Sequence, residues 1–306
     1  MSEVSVHVGG HVTLLFSIHS ASLLARNQGS KGAGFCLEHG VIATVKEAVS
    51  EDDTISVFNF KGEKLEFGES LYFPLLDEFR ELFGIDTSVE MVVELELPVS
   101  QGFGMSAAGL LATSLALGEF FNRGEISQLV RLAHRLDREN SGGLGDVLGL
   151  WAGGCELRTK PGSPPFPGKC RSFPVGCPAL LVWDPENEKH TSDYIDNEHW
   201  ISRITKAGED SVSRLEKLNW DLSVWDTLLS EADTFAMDSG LLEEESRANL
   251  LNLVVSNSKE NMSNHLCMLG TSVIVVPKDL SKEFDFDDLA SHLTSLGLGI
   301  KPTILQ

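Results

Sequence analysis

A glycine-rich turn reads Pro98-Val-Ser-Gln-Gly-Phe-Gly-Met-Ser-Ala-Ala-Gly-Leu-Leu111. Before it, from Val89 to Leu97, apolar residues alternate with glutamates, which predicts a half-buried strand. After it, residues 106–121 carry almost no charge, which predicts a helix buried on most sides. Gly102 and Gly104 allow positive φ, and the unpaired N–H groups at the start of a helix suit a phosphate. The turn therefore indicates a phosphate-binding loop.

Ser106 stands at the start of the predicted helix, where its hydroxyl can either cap the helix or reach a metal ion. A tight turn with a capping serine is the simpler alternative, and a lone Gly-x-Gly would favour it. The full string is more specific. It is not a Walker A loop, because no Gly-Lys-Ser/Thr follows, and it lacks the third glycine and the acidic residue of a dinucleotide-binding fingerprint.

The composition describes a globular chain with a strong acidic excess. Its 306 residues are 42% hydrophobic and 23% charged, and the net charge is −21. This charge argues against nucleic acid or anionic membranes as partners. No signal peptide or apolar run of roughly 18 residues is seen, so no membrane span is predicted. Five cysteines without a Cys-x-x-Cys pair indicate reduced thiols in a cytoplasmic protein, with neither zinc nor disulfides.

Residue patterns divide the chain into two lobes and a connection. Residues 1–160 surround the glycine-rich turn and form the predicted N-terminal lobe. Six of the eleven prolines lie in residues 161–178, which predicts a long surface loop or inter-lobe connection. Residues 179–306 form the predicted C-terminal α/β lobe. Its predicted helices are 198–218, 223–237, 241–255, 260–268 and 286–296, and its predicted strands are 179–183, 271–276 and 300–305.

Two features near the N-terminus combine glycine with polar residues. The first strand region, residues 4–19, is interrupted at Gly9-Gly10, and His11 follows directly. Residues 26–34 read as a polar loop with three glycines in residues 29–34, which indicates a backbone that passes close to another group. A hydrogen-bonded structural histidine and a flexible hairpin loop are the respective alternatives.

A second group of candidates follows the helix predicted over 125–138. The segment Ser141-Gly-Gly-Leu-Gly-Asp-Val147 presents Asp146 from a loop that borders an apolar run. A helix N-cap is the alternative, but Gly142, Gly143 and Gly145 are more than capping needs and favour a catalytic carboxylate. Phosphoryl transfer also needs Mg²⁺, which one hydroxyl and one carboxylate can hold together with water. Ser106 and an acid near the helix end at Glu139 fit that requirement.

Together these segments resemble the GHMP kinases and, within them, the archaeal pantoate kinases. The segments that carry the resemblance are Gly10–Phe16, Gly29–Gly34, Gly102–Gly109, Gly143–Val147, Gly153–Arg158 with Pro161-Gly162, and Met268–Gly270. The resemblance implies a two-lobed α+β fold, with an N-terminal lobe like domain 2 of ribosomal protein S5 and a ferredoxin-like C-terminal lobe. It also implies a homodimer that uses ATP and Mg²⁺ to phosphorylate the 4-hydroxyl of pantoate.

The resemblance assigns roles residue by residue. It implies Asp146 and Arg158 as catalytic residues and Ser106 and Asp137 as Mg²⁺ ligands. The family has His-x-x-Glu where this chain has His134-Arg-Leu-Asp137, so Glu139 stays an alternative to Asp137. The implied phosphate-binding residues are Gly102, Phe103, Gly104, Met105, Ser106, Ala107 and Ala108. The substrate-binding candidates are His11, Ser30 and Arg158, and a surface strand cation is the alternative for Arg158.

Two other functions stay open at this point. The first is a GHMP kinase that acts on another small hydroxy acid or alcohol, such as homoserine or mevalonate. The second is a catalytically silent sensor with the same fold, although the presence of Asp146 and Ser106 speaks against it.

Overall fold

The structure is a computed structural model that describes residues 3–141, 144–187, 192–195 and 197–306. These residues form two β-sheets flanked by helices, which confirms the predicted α+β class. Gly142 and Gly143, which support the assignment of Asp146, lie outside the described residues.

Two long strands form the centre of the first sheet. Its strands are β1 (Glu3–His19), β2 (Gly29–Glu47), β3 (Thr54–Phe58), β4 (Val89–Leu95), β5 (Cys155–Lys160) and β6 (Lys169–Phe173). The order is β3-β4-β2-β5-β6, and β1 pairs with β2 along its length. β3 and β4 are parallel, and the other pairs are antiparallel.

The helices of the first lobe cover this sheet. They are α1 (Phe73–Phe83), α2 (Met105–Phe121), α3 (Ile126–Leu136) and α4 (Asp146–Ala152). α2 packs on β1 and β2 and is buried on most sides, as its apolar sequence predicts. A π-helical turn, Asp137–Ser141, continues α3 toward the site.

The second sheet has the order β10-β7-β9-β8, and every neighbouring pair is antiparallel. Its strands are β7 (Pro178–Trp183), β8 (Met262–Leu266), β9 (Ser272–Pro277) and β10 (Gly299–Ile304). Its helices are α5 (Ser192–Ile195), α6 (Glu198–Leu215), α7 (Trp225–Asp238), α8 (Glu245–Asn257) and α9 (Asp287–Ser295). Helices lie between β7 and β8 and between β9 and β10, so the lobe has the β-α-β-β-α-β order of a ferredoxin-like fold.

Glycines in β1 and β2 are within strands, contrary to the predicted strand break and loop. β1 is continuous and shifts its register between Gly9 and His11 as a β-bulge. Residues 29–34 belong to β2 and do not form a loop. A Cβ at Gly34 would stand 2.3 Å from the Val12 carbonyl oxygen. These glycines therefore let two paired strands approach closely.

Two further segments differ from the sequence patterns. The helix predicted over 260–268 is wrong, because Met262–Leu266 forms strand β8 and pairs with β9. Pairing at a sheet edge here overrides a short pattern that does not separate helix from strand. The predicted connection 161–178 contains β6, which pairs with β5 in the first sheet. The boundaries 1–160, 161–178 and 179–306 stay predictions.

The two lobes meet along the inner half of β1 and β2. Single backbone bridges join Thr13 to Met268 and Leu37 to Leu305, and α6 packs against β1. This junction lies directly beside the glycine-rich turn, because the N–H of His11 donates to the Phe103 carbonyl over 3.0 Å. In the described part of the chain, no helix is long and apolar enough to cross a bilayer.

Candidate active site

The glycine-rich turn adopts the backbone that its sequence predicts. Gly102 and Gly104 have φ of +76° and +69°, in the region that favours glycine. α2 begins at Met105 with Gly104 as its N-cap, so the first N–H groups of the helix have no partner within it. They border a cavity of about 100 Å³. An array of free N–H groups at the positive end of a helix dipole can bind a phosphate.

Residues of the predicted phosphate loop line this cavity, with one exception. The lining members are Gly102, Phe103, Gly104, Met105, Ser106 and Ala107. Ala108 is fully buried in α2 and does not line it. Ser106 is the second residue of α2 and does not cap it, so its hydroxyl is available to the cavity.

The second lobe holds the turn in place. Ser272 donates a hydrogen bond from its hydroxyl to the Gln101 carbonyl, and the Phe103 ring meets Trp183 edge-on at 5.9 Å. Gly270 packs directly on the backbone of Gln101, where a Cβ would come within 2.2 Å. The segment Met268–Gly270 completes the cavity wall. The phosphate loop is therefore fixed by contacts from both lobes.

Asp137 and Glu139, the two alternatives for a metal ligand, lie in different environments. Asp137 is only 3% exposed yet lines the cavity together with Ser106. Glu139 is exposed and does not line it. The described residues contain no cluster of three or more His, Cys, Asp or Glu side chains that could hold a metal ion. One carboxylate and one hydroxyl nevertheless match Mg²⁺, which keeps most of its water ligands.

Asp146 lies between the phosphate cavity and a second cavity of about 40 Å³. The N-cap alternative does not apply, since Gly145 is the N-cap and Asp146 is the first residue of α4. The second cavity is lined by Thr13, Phe16, Ser30, Leu144, Gly145, Asp146, Met268 and Leu269. It therefore offers two hydroxyls, an apolar wall and one carboxylate that also faces the phosphate side.

A buried group of charged side chains lies beneath Asp146. His11 Nδ1 is 2.7 Å from Asp146 Oδ1, and His11 Nε2 is 3.1 Å from Glu156 Oε1. Arg158 donates from Nη1 to the same Glu156 oxygen and from Nη2 to Thr13 over 3.3 Å. His11, Glu156 and Arg158 are all 0% exposed.

The charges of this group shift two pKa values in opposite directions. Burial disfavours the charged His11 ring, but hydrogen bonds and charges from Asp146 and Glu156 outweigh it and raise the pKa of His11. Burial likewise disfavours the Asp146 carboxylate, but His11 and Arg158 outweigh it and lower the pKa of Asp146. Asp146 is therefore ionised at neutral pH.

The substrate-binding candidates lie at different depths. Ser30 lines the second cavity, whereas His11 and Arg158 line neither cavity. A Cβ at Gly145 would stand 2.1 Å from Ser30 Oγ and 2.8 Å from Arg158 Nε, so this glycine lets Ser30 and Arg158 reach the Asp146 loop. Arg158 Nε is buried and has no hydrogen-bond partner among the residues that the structure describes. A surface cation, the alternative for Arg158, is excluded by this burial.

Sequence reasoning missed Glu156 and Leu269 as site residues. Glu156 and Arg158 are two positions apart in β5 and share one face, a spacing that could have indicated a buried pair. Leu269 lines both cavities but carries no polar group that a motif search would notice.

Comparison with known proteins identifies the class. The family model "GHMP kinases N terminal domain" matches residues 71–154, which include the glycine-rich turn. The mevalonate kinase of Methanococcus jannaschii superposes with a TM-score of 0.71 at 15% identity, over 100% of this chain and 99% of that chain. A structure titled "Phosphotransferase related to CoA biosynthesis pathway" gives 0.80 at 23% identity, over 99% and 96%. The fold and the glycine loop are thus those of a GHMP kinase.

Proteins with similar sequences identify the family within this class. A pantoate kinase of Thermococcus kodakarensis is 30% identical over 92% of this chain and 89% of that protein. A pantoate kinase of Methanospirillum hungatei is 28% identical over 91% and 89%. The chain belongs to the pantoate kinase family of GHMP kinases. It is a kinase, and GHMP kinases use ATP as the phosphate donor.

Proposed function

We propose that this enzyme transfers the γ-phosphate of ATP to the 4-hydroxyl of (R)-pantoate and forms 4-phosphopantoate for coenzyme A biosynthesis. One observation carries the proposal: Asp146 lines both the phosphate cavity and the second cavity. An alcohol bound in the second cavity would have its hydroxyl between this carboxylate and the transferred phosphate. The pantoate kinase relatives support the choice of acceptor.

The phosphate side fits ATP with Mg²⁺. N–H groups at the start of α2 would hold the phosphates, and the backbone at Gly102 and Gly104 allows their close approach. Ser106 and Asp137 would hold the Mg²⁺, since both line the cavity and both present oxygen. The ion would neutralise phosphate charge during transfer.

The acceptor side fits a small hydroxy acid. Ser30 and Thr13 offer hydroxyl groups to polar substituents, and Phe16 and Leu144 offer apolar surface. Arg158 lies beneath this cavity, and its Nε has no hydrogen-bond partner in the described part of the chain. Because its Nη1 already donates to Glu156, this guanidinium does not by itself select an anionic acceptor, and the choice of a hydroxy acid rests on the pantoate kinase relatives.

The test is an assay of ATP consumption with pantoate, homoserine, mevalonate and a sugar as acceptors. We expect turnover with pantoate, and a ³¹P NMR spectrum that shows a new phosphomonoester at the primary alcohol. Asp146→Asn should lower kcat by about 10²-fold or more while the affinity for ATP stays close to that of the wild type. Turnover of another acceptor without turnover of pantoate would refute the proposal.

We further propose a cytoplasmic homodimer, as the family resemblance implies. Light scattering of the purified protein would test the oligomeric state, and a monomeric mass would contradict it.

A further inference from the structure

Four ionisable side chains form a continuous buried chain under the shared wall of the two cavities. Asp146 contacts His11, His11 contacts Glu156, and Glu156 contacts Arg158. Only Asp146 reaches either cavity, with a side chain that is 28% exposed. The side chains of His11, Glu156 and Arg158 are fully buried. They can affect a bound substrate only through Asp146 or through the electrostatic field of their charges.

The geometry at His11 favours a doubly protonated ring. Each ring nitrogen lies within hydrogen-bond distance of a carboxylate oxygen, and an ionised carboxylate only accepts. Arg158 Nη1 also approaches Nε2, but at 3.3 Å it is more distant than the Glu156 oxygen at 3.1 Å. With a neutral ring, the buried Glu156 carboxylate and the partly exposed Asp146 carboxylate would share one guanidinium. Protonation of His11 removes the uncompensated negative charge, which is costly at this depth.

Glu156 is itself fixed from several sides. Its Oε1 accepts from Arg158 and faces His11, and its Oε2 accepts from the Cys170 thiol over 3.3 Å. The His11 ring is confined by two glycines: a Cβ at Gly149 would stand 2.5 Å from Nε2, and one at Gly34 would stand 3.0 Å from it. These contacts restrict the positions of the His11 ring and the Glu156 carboxylate.

We propose that Glu156 is a positioning residue, which holds His11 as an imidazolium that orients the Asp146 carboxylate between the two cavities. This inference rests on the proposed kinase function of the same site. The role of Asp146 then follows from its partner: a carboxylate held ionised by a cation is a weak base. It orients the acceptor hydroxyl and takes its proton late, when the bond to phosphorus is already forming.

The proposal predicts how pH acts on the site. The titratable and charged groups that face His11 are Asp146 from α4, Glu156 and Arg158 from β5, and Cys36 from β2. The pKa of His11 is raised in the folded protein. The stabilisation from its charged interactions is therefore complete below 6.5, the ordinary pKa, and is lost as pH rises through the folded-state pKa. Loss of the Glu156 charge should move that transition toward acid.

The experiment compares Glu156→Gln with the wild type, using the acceptor that the wild type turns over. We expect kcat to fall about tenfold to a hundredfold with little change in the KM for ATP. The alkaline limb of the kcat profile should move about one pH unit toward acid. A purely structural role would lower stability without moving the pH profile, and that outcome would overturn the proposal.

A matched control is available in the second lobe. His265, which is 2% exposed, has Nδ1 at 2.7 Å from Oδ1 of Asp233, a carboxylate whose side chain is 57% exposed, and it lines neither cavity. Asp233→Asn should leave kcat and the pH profile unchanged. If Asp233→Asn reproduced the effect of Glu156→Gln, the effect would be general and the proposal wrong.

A measurement on the wild type keeps the proposal falsifiable if Glu156→Gln does not fold. In ¹⁵N-labelled protein near neutral pH, both ring nitrogens of His11 should carry protons, with the signal assigned through its own backbone amide. One unprotonated nitrogen would overturn the proposal. This result does not depend on the acceptor, so failure with pantoate would refute the proposed function and leave the His11 assignment standing.

Discussion

Gly104 joins the phosphate loop to the buried charges, because it has a positive φ and packs against His11. A Cβ at this position would stand 3.1 Å from the His11 Cβ and 3.2 Å from its backbone N and O. Gly104→Ala should therefore push the loop away from β1 and lower kcat/KM for ATP by about tenfold or more. Steady-state kinetics with varied ATP measure this effect.

Gly84 provides a control, because it also has a positive φ but has no atom close to the place that a Cβ would take. Its φ is +64°, and a Cβ there would meet nothing within 4 Å. Gly84→Ala and Gly104→Ala should both lower the free energy of unfolding by about 1 kcal/mol, owing to the left-handed backbone. Only Gly104→Ala should lose activity. Equal activity in the two variants would show that the loop tolerates a side chain at residue 104.

Asp137 and Glu139 give a second test at single residues. Asp137→Asn should raise the Mg²⁺ concentration needed for half-maximal activity, because the buried carboxylate lines the phosphate cavity. Glu139→Gln should leave that concentration unchanged, because Glu139 is exposed. Titration of activity with Mg²⁺ at saturating ATP separates the two. The reverse result would assign the metal to Glu139.

The sequence predicts those site residues whose type and neighbours reveal chemistry. Ser106 follows a glycine turn, and Asp146 follows a glycine loop, so both could be found from local patterns. His11 could be found as a candidate from the glycines before it, but its pairing with Glu156 could not, because the two residues are 145 positions apart in the chain. Arg158 is found from the sequence only by resemblance, and its burial follows from how β5 packs against β1 and β2.

At the scale of secondary structure elements, one buried arginine of α8 supports the segment that lines both cavities. Arg247 donates from Nε to the Gly270 carbonyl over 2.9 Å and from Nη2 to the Leu269 carbonyl. It also pairs with Glu244 and lies 4.6 Å from the centre of the Tyr194 ring. Since Leu269 lines both cavities, α8 supports a wall that the two cavities share.

Arg247→Met should lower the free energy of unfolding and weaken the binding of both substrates. The loss leaves two carbonyls without a donor, which costs about 3 kcal/mol of unfolding free energy. The KM values for ATP and for the acceptor should rise together, and denaturant unfolding and kinetics measure the two effects. Arg203→Met is the control, because Arg203 makes a similar paired contact with Glu243 at the surface. An equal loss in both variants would contradict a role for Arg247 at the site.

Elements with a long apolar pattern are predicted well from the sequence. Elements that are short or that contain glycine are predicted poorly. The sequence predicts α2 as a buried helix, because a helix at the surface would carry more charge than this almost uncharged run. The sequence wrongly predicts a helix at β8, because the alternation there is short and the burial of the strand depends on pairing with β9. The glycines at the start of β2 are typical of a loop in sequence. In the structure they leave room for the backbone of β1 and for the side chains of His11 and Arg158.

At the scale of the whole molecule, the net charge of −21 opposes the approach of ATP, which is itself an anion. Added salt screens this repulsion, so kcat/KM for ATP should rise several-fold between about 20 and about 200 mM KCl at constant free Mg²⁺. Rate measurements at low ATP concentration test this. A fall with salt would show that positive potential at the start of α2 and from Arg158 outweighs the acidic surface.

The division of the site into two cavities bears on how enzymes of this class diversify. Thr13, Phe16, Ser30 and Leu144 line the acceptor cavity and not the phosphate cavity. On the proposed function, substitutions at these four positions should change the alcohol that is phosphorylated and leave the lining of the phosphate cavity unchanged. Asp146 lines both cavities, as Met268 and Leu269 do, and is the one with a carboxylate among these three shared residues. Enzyme redesign toward a new acceptor would begin at the same four residues.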